Sequence, residues 1–329
     1  MSAPPGGARG GPRPPLALSV AGHYWTIAPL AAHTLRPRPA PPSRSFWATV
    51  EDPKVGAVRL SGRLRDRPGD ALVVLIHGLG GDVGSHYLLE AARAAEDAGL
   101  SSLRLNLRGA DRTGEDFYHA ALTADLHAAI ASPELARYER LYLLGYSLGG
   151  HLALRCATEP LDPRVRAVAA ICPPLDLAVG AHAIDEPRRA VYRRHVLTAL
   201  QEIYAAVARR REVPLPVPLA RRIRKLREWD QRVVAPRFGF DSVAHYYHEA
   251  SVAPRLTHLT VPALVVEARH DPMVPEATVL PALERISPML DARWIERGGH
   301  VGFPASATLG VPGPPGIEGQ ALAWLRQRH

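Results

Sequence analysis

The residues with the clearest chemical potential are Gly145-Tyr146-Ser147-Leu148-Gly149. They follow the apolar run Leu141–Leu144 and lead into a helix-like segment over residues 148–158. A strand that passes into a helix with almost no loop forces the residue at the reversal into a strained backbone, and flanking glycines remove side chains that would collide there. Ser147 is the residue at that reversal. Its hydroxyl is expected to stand at a helix N-terminus, which favours developing negative charge. A hydroxyl is a weak nucleophile and needs a base, itself oriented by a third group. On a scaffold of this kind the partners follow in the order acid, then histidine. His300 is the expected base. It lies in Arg297-Gly298-Gly299-His300-Val301-Gly302 after a short final strand, where small neighbours let an imidazole reach across. Asp271, in His270-Asp271-Pro272 after the strand before that, is the expected acid. Asp176, in Cys172-Pro173-Pro174-Leu175-Asp176 after an earlier strand, is its rival. A tetrahedral oxyanion needs two donors. The N–H groups of Leu148 and of Leu79, in His77-Gly78-Leu79-Gly80-Gly81, are the candidates. Together these groups suit acyl transfer to serine followed by hydrolysis, with no metal or organic cofactor required.

Those glycines admit another reading, a phosphate-binding loop after a strand. A dinucleotide site would place an acidic residue at the end of the next strand. Asn106 and Arg108 stand there instead, which argues against a nucleotide.

The segments that must position these groups alternate between strand and helix. Phe46–Val50 and Gly56–Leu64 suggest an opening antiparallel pair. Ala71–Ile76 is a continuous apolar run, as expected of a strand covered on both faces. A helix over about 84–98 follows, ended by Gly99. Further strands are expected at Ser102–Leu107, Leu141–Gly145, Val165–Cys172, Ala263–Glu267 and Arg293–Ile295. Helices are expected near 120–131, 148–158, 276–288 and 317–328. This order defines an α/β class with a mainly parallel sheet and helices on both faces. Residues 178–250 break the pattern. They hold no strand, but two amphipathic repeats: Tyr192, Val196, Leu200, Ile203 and Val207, then Leu219, Ile223, Leu226, Trp229 and Val233. That stretch reads as a helical lid inserted above the sheet. Residues 1–15, rich in Pro, Gly and Arg, read as a disordered tail. Residues 16–45 read as an N-terminal arm, whose Tyr24, Trp25 and Ile27 could dock on the body formed by 46–329.

Composition narrows the class further. The chain has 329 residues, 47% of them hydrophobic, enough for a large core. Cys156 and Cys172 are its two cysteines, too few for a disulfide framework. No apolar stretch is long enough for a membrane span, and no secretory signal opens the chain, so a cytoplasmic location is expected. The net charge is +8, carried by arginine with lysine only at Lys54 and Lys225. Residues 185–232 hold 13 basic and 6 acidic residues, so the lid is the basic part. A solvated face in an arginine-biased chain is the favoured reading, and contact with anionic lipid or an acidic headgroup the alternative. Nucleic-acid binding would call for aromatics interleaved with those arginines and is not expected.

From about residue 22 onward the chain resembles the YheT-like branch of the α/β-hydrolases, the AB hydrolase 4 family. The resemblance rests on His77-Gly78-Leu79-Gly80-Gly81 with Ser85-His86-Tyr87, Asn106-Leu107-Arg108-Gly109, Phe117-Tyr118-His119, and Gly145-Tyr146-Ser147-Leu148-Gly149-Gly150. It rests also on Cys172-Pro173-Pro174, Phe240-Asp241-Ser242 before Tyr246-Tyr247, His270-Asp271-Pro272, and Gly298-Gly299-His300. It implies an α/β-hydrolase fold and a carboxylic-ester hydrolase with Ser147, Asp271 and His300 as its triad. Short- and medium-chain acyl esters or lipid esters are the implied substrates. An acyltransferase or thioesterase would use the same residues, and a non-catalytic binding protein is the reading outside enzymes.

Overall fold

The computed structural model describes residues 16–284 and 287–328. The expected tail at 1–15 lies outside the described residues. A 20-residue helix, α1 (Leu16–Leu35), comes first. β1 (Arg44–Asp52) and β2 (Gly56–Arg65) form the antiparallel opening pair, and β1 shows the alternating burial of a strand with one wet face. β3 (Ala71–Ile76), β4 (Ser101–Leu105), β5 (Arg140–Tyr146), β6 (Val165–Ile171), β7 (Ala263–Ala268) and β8 (Leu290–Ile295) complete an eight-stranded sheet. The strand order is β1-β2-β4-β3-β5-β6-β7-β8, parallel from β4 to β8. The apolar run at β3 is explained by its place between β4 and β5, with Leu72 to Ile76 fully buried.

Helices cover both faces. They are α2 (His86–Asp97), α3 (Ala124–Ile130), α4 (Leu148–Cys156), α11 (Glu276–Leu283) and α12 (Ile317–Arg326). Gly99 takes φ +68° just past α2, the left-handed backbone that ends a helix. Two apolar clusters form on opposite sides of the sheet. One contains Val74, Leu143 and Val168 with α3, α4 and the lid; the other contains Val73, Leu144 and Ala169 with α2 and α12.

The insertion between β6 and β7 is helical, but less regular than its periodicity suggests. α5 (Leu177–Ile184) and α6 (Ala190–Val207) are continuous, and α6 buries Tyr192, Val196, Leu200, Ile203 and Val207 as expected. The second repeat is not one helix. It breaks into α7 (Val217–Ala220), α8 (Leu226–Trp229), a π-helical turn (Asp230–Val234) and α9 (Ala235–Phe238), before α10 (Val243–Ala250). The break has a visible cause. Lys225 is extended, and the Asp185 carboxylate accepts from the backbone N–H of Leu226 (2.7 Å) and Arg227 (3.1 Å), capping a fresh helix start. Ile223, Trp229 and Val233 are still buried, whereas Leu219 is exposed.

The arm, whose secondary structure the sequence left open, is helical as α1. Gly22 and Pro29 argue against a helix across the arm, yet both lie inside one. Among the described residues no helix is long and apolar enough to cross a membrane.

Candidate active site

The turn from β5 to α4 is the strained reversal that its sequence requires. Ser147 has φ +52° and ψ −121°, a conformation that side-chain-bearing residues rarely hold. The glycines around it are sterically necessary. A Cβ on Gly145 would lie 2.2 Å from the Gly149 carbonyl oxygen, and one on Gly149 would lie 2.4 Å from the Ile76 carbonyl oxygen. The end of β3 therefore runs directly beneath the elbow.

In the loop after β3 the N–H groups on both sides of Leu79 are claimed by tyrosine hydroxyls. Gly78 N–H donates to the Tyr87 hydroxyl (3.0 Å), Gly80 N–H to the Tyr118 hydroxyl (2.6 Å), and Gly81 N–H to the Gly78 carbonyl (3.0 Å). Among the described residues, the N–H of Leu79 has no acceptor, and neither has that of Leu148 at the first position of α4. A Cβ on Gly78 would lie only 3.0 Å from the Ser147 Cβ, so the loop abuts the elbow. His77 braces the loop from below. It is fully buried, donates from Nδ1 to the Gly78 carbonyl (2.8 Å) and accepts the Leu107 N–H at Nε2 (3.1 Å). Burial pushes its pKa down to about 4, which keeps the ring neutral for that paired role.

Across the sheet, the loops after β7 and β8 bring an acid to a histidine. The Asp271 Oδ2 accepts from His300 Nδ1 at 2.8 Å, and both residues are buried. Asp271 Oδ1 accepts from the backbone of Met273 (2.7 Å) and Val274 (2.9 Å), so the carboxylate is fixed in orientation. That leaves His300 Nε2 without a protein partner among the described residues. Asp176 is elsewhere employed. It caps α5, accepting from the Val179 N–H at 3.1 Å. Of the two acids weighed from sequence, only Asp271 meets His300.

Ser147, Leu148, Leu79 and His300 line one cavity of about 510 Å³. The lid roofs it with Tyr192, Val196, Leu200, Trp229 and Asp230, and α1 contributes Thr26, Ile27 and Leu30 to the wall. The lining is mostly apolar, and its volume is that of a small-molecule site. Asp230 is a buried acid of the roof; its Oδ2 accepts from the Tyr247 hydroxyl at 2.7 Å. Several lid arginines are neutralised by neighbours: Arg189 by Glu186, Arg193 by Asp185 and Arg232 by Glu228. Among the described residues, one cluster has the donor types of a metal site: Cys172, Asp271 and His300, with ligand atoms within 4.8 Å of one another. Two of its three members are already bonded to each other.

Sequence reasoning missed the two tyrosine braces and the part played by α1. Tyr87 and Tyr118 lie in motifs that stand out by composition, but what their hydroxyls hold is a contact between separate loops.

Comparison with known proteins agrees with this geometry. Residues 71–305 match the family model described as alpha/beta hydrolase fold, and the chain belongs to that family. Within it, the chain falls in the YheT-like branch. It is 29% identical over 276 residues to "Putative esterase YheT" of Escherichia coli (strain K12), covering 78% of each chain. It is 26% identical to "Medium-chain fatty acid ethyl ester synthase/esterase 2" of Saccharomyces cerevisiae and 24% identical to "Phospholipase ABHD3" of Homo sapiens, over 70% of this chain and 58% of each relative. The chain thus spans little more than half the length of those two eukaryotic proteins. Among solved structures, the Pyrococcus furiosus esterase Pf2001 shares the fold with a TM-score of 0.54 at 18% identity, covering 79% of this chain and 85% of that one.

Proposed function

We propose that this chain is a serine carboxylic-ester hydrolase working through an acyl-enzyme. His300 Nε2 takes the proton of Ser147 as its oxygen attacks the ester carbonyl. The oxyanion that forms is met by the N–H groups of Leu148 and Leu79. Collapse expels the alcohol, which receives the proton from His300. Water then attacks the acyl-serine with His300 as base again, releasing the acid and restoring Ser147. Asp271 orients His300 and stabilises its charged form.

The observation that carries this reading is the pair of unclaimed N–H groups on either side of a strained serine, in one cavity with an acid-bound imidazole. Such donors have no structural duty to perform and lie ready for developing charge. The mostly apolar cavity under the lid favours short- and medium-chain acyl esters, and the names of the E. coli and yeast relatives support an ester substrate.

A fluorophosphonate probe tests the nucleophile. Wild type should label at one site, and Ser147→Ala should not label at all. Equal labelling of the two proteins, or none of either, ends the assignment. A panel of p-nitrophenyl esters of graded acyl length then reads the depth of the cavity.

A further inference from the structure

The helix α1 precedes the segment matched by the family model, yet it touches both loops that carry the acid and the base. Its contacts are of backbone against backbone. A Cβ on Gly22 would lie 1.9 Å from the His270 carbonyl oxygen, one residue before Asp271. A Cβ on Gly299 would lie 2.2 Å from the Gly22 carbonyl oxygen, and one on Gly302 would lie 2.0 Å from the Trp25 carbonyl oxygen. Glycines on both sides of this seam therefore allow the approach. Pro29 belongs to the same device. It cannot donate to the Trp25 carbonyl four residues back, and the Gly302 backbone packs against that carbonyl.

One side chain bridges the seam. The Thr26 hydroxyl donates to the Gly22 carbonyl (2.8 Å), which orients its oxygen to accept the backbone N–H of His300, also at 2.8 Å. His300 is followed by Val301 at φ +54°, a left-handed conformation that a β-branched residue holds only under constraint. Farther up, His23 Nδ1 meets the Tyr192 hydroxyl of α6 at 2.5 Å, tying the same helix to the lid.

We propose that α1 is a clamp on the catalytic loops, with Thr26 as a positioning residue that fixes the His300 backbone while Asp271 fixes its ring. The proposal rests on the triad assignment made above. With the ring held at Nδ1 and the backbone held at N–H, Nε2 has one place to point. Without the Thr26 hydroxyl, a buried N–H loses its acceptor and a strained loop loses its restraint, while Thr26→Val, of nearly the same shape, keeps the cavity wall that Thr26 lines. Small displacements of a catalytic group lower the chemical step by as much as about 100-fold.

The test uses Thr26→Ala, Thr26→Val and Thr26→Ser in the full chain, with Tyr24→Ala on the exposed side of the same helix as control. Fluorophosphonate titration of Ser147 counts competent sites, and kcat is referred to that count, so unfolded protein does not enter. The expected result is a fall in kcat of about 10- to 100-fold for Thr26→Ala and Thr26→Val, with KM within about two-fold. Thr26→Ser should return most of kcat, and Tyr24→Ala should match wild type. A kcat per titrated site equal to wild type in either Thr26→Ala or Thr26→Val overturns the clamp. So does a loss that Thr26→Ser fails to restore, or one confined to KM. If wild type itself does not label at Ser147, the triad reading has failed instead, so the two failures are told apart.

Discussion

Two of the buried sites that carry ionisable groups in this fold are built on opposite plans. Around Arg108 each guanidinium nitrogen has a carboxylate partner. Its Nε and Nη2 reach Asp125 (2.9 and 2.7 Å), and its Nη1 reaches Asp52 (2.7 Å) and Asp116 (3.2 Å). Arg237 of the lid closes the far side of Asp116 at 2.5 Å. Burial alone would lower the Arg108 pKa, but Asp125, Asp52 and Asp116 outweigh it and hold the group charged. The network joins β1, the loop after β4, α3 and the lid. The Asp271–His300 pair is just as buried but deliberately incomplete: the carboxylate is saturated, while the imidazole keeps one nitrogen free toward the cavity. A closed network holds elements together; an open one is available to a substrate. From the sequence alone the two are hard to separate, since each is a charged residue in a motif just beyond a strand.

The difference can be broken open by substitution. At the open site, Asp271→Asn should lower kcat by about 10⁴-fold, because the ring loses its orienting anion. Asp176→Ala should leave kcat unchanged and cost only about 1 kcal/mol of stability, the value of a helix cap. Steady-state kinetics and urea unfolding on both variants check this, and the reverse pattern would exchange their roles. At the closed site, Arg108→Met should act on stability first. It strands the buried Asp125 carboxylate and removes a cation from Asp52 and Asp116, for a loss of about 3–5 kcal/mol read by chemical denaturation. A stable Arg108→Met protein with reduced kcat would mean that this network serves catalysis directly.

Asp230 sharpens the contrast from a third position, because its buried carboxyl has a phenol for a partner and, among the described residues, no cation. Burial pushes its pKa up to about 7, against the help of the Tyr247 hydrogen bond. The folded chain therefore binds this proton more tightly than the unfolded chain, whose carboxyl titrates near the ordinary 3.8. Its contribution to stability is full below about pH 4 and is lost as pH rises to about 7. Asp230→Asn should remove that slope. The variant should gain on wild type by up to a few kcal/mol between those limits, in unfolding curves collected across pH. Parallel curves for the two proteins would show that Asp230 is not the group responsible.

Ser147 with its glycines, the apolar β3 and the alternation of strands with helices were legible from the chain because each rests on local constraint. A reversal between strand and helix needs small neighbours whatever lies around it, and a strand covered on both faces needs a continuous apolar run. His300 and Asp271 were legible from chain order and motif, but the choice of Asp271 over Asp176 needed the sheet. β6, β7 and β8 lie side by side, and which of their loops reaches the histidine depends on spacing across strands. The second lid repeat looked like one helix because periodicity records burial and is silent about a cap from elsewhere; Asp185 supplied that cap from another element. The arm at α1 shows the limit most clearly. Gly22 and Pro29 count against a helix in isolation, and the tertiary structure reverses their meaning, since both are what a backbone seam with the acid and histidine loops requires. The sequence by itself pointed to Ser147 at a strained turn, to the class of sheet and to a helical insertion. Only the tertiary structure decided which acid meets His300, which N–H groups are left without an acceptor among the described residues, and that a helix some 270 residues upstream bonds to the His300 backbone. Those last matters are contacts between distant segments, where no local pattern constrains the answer.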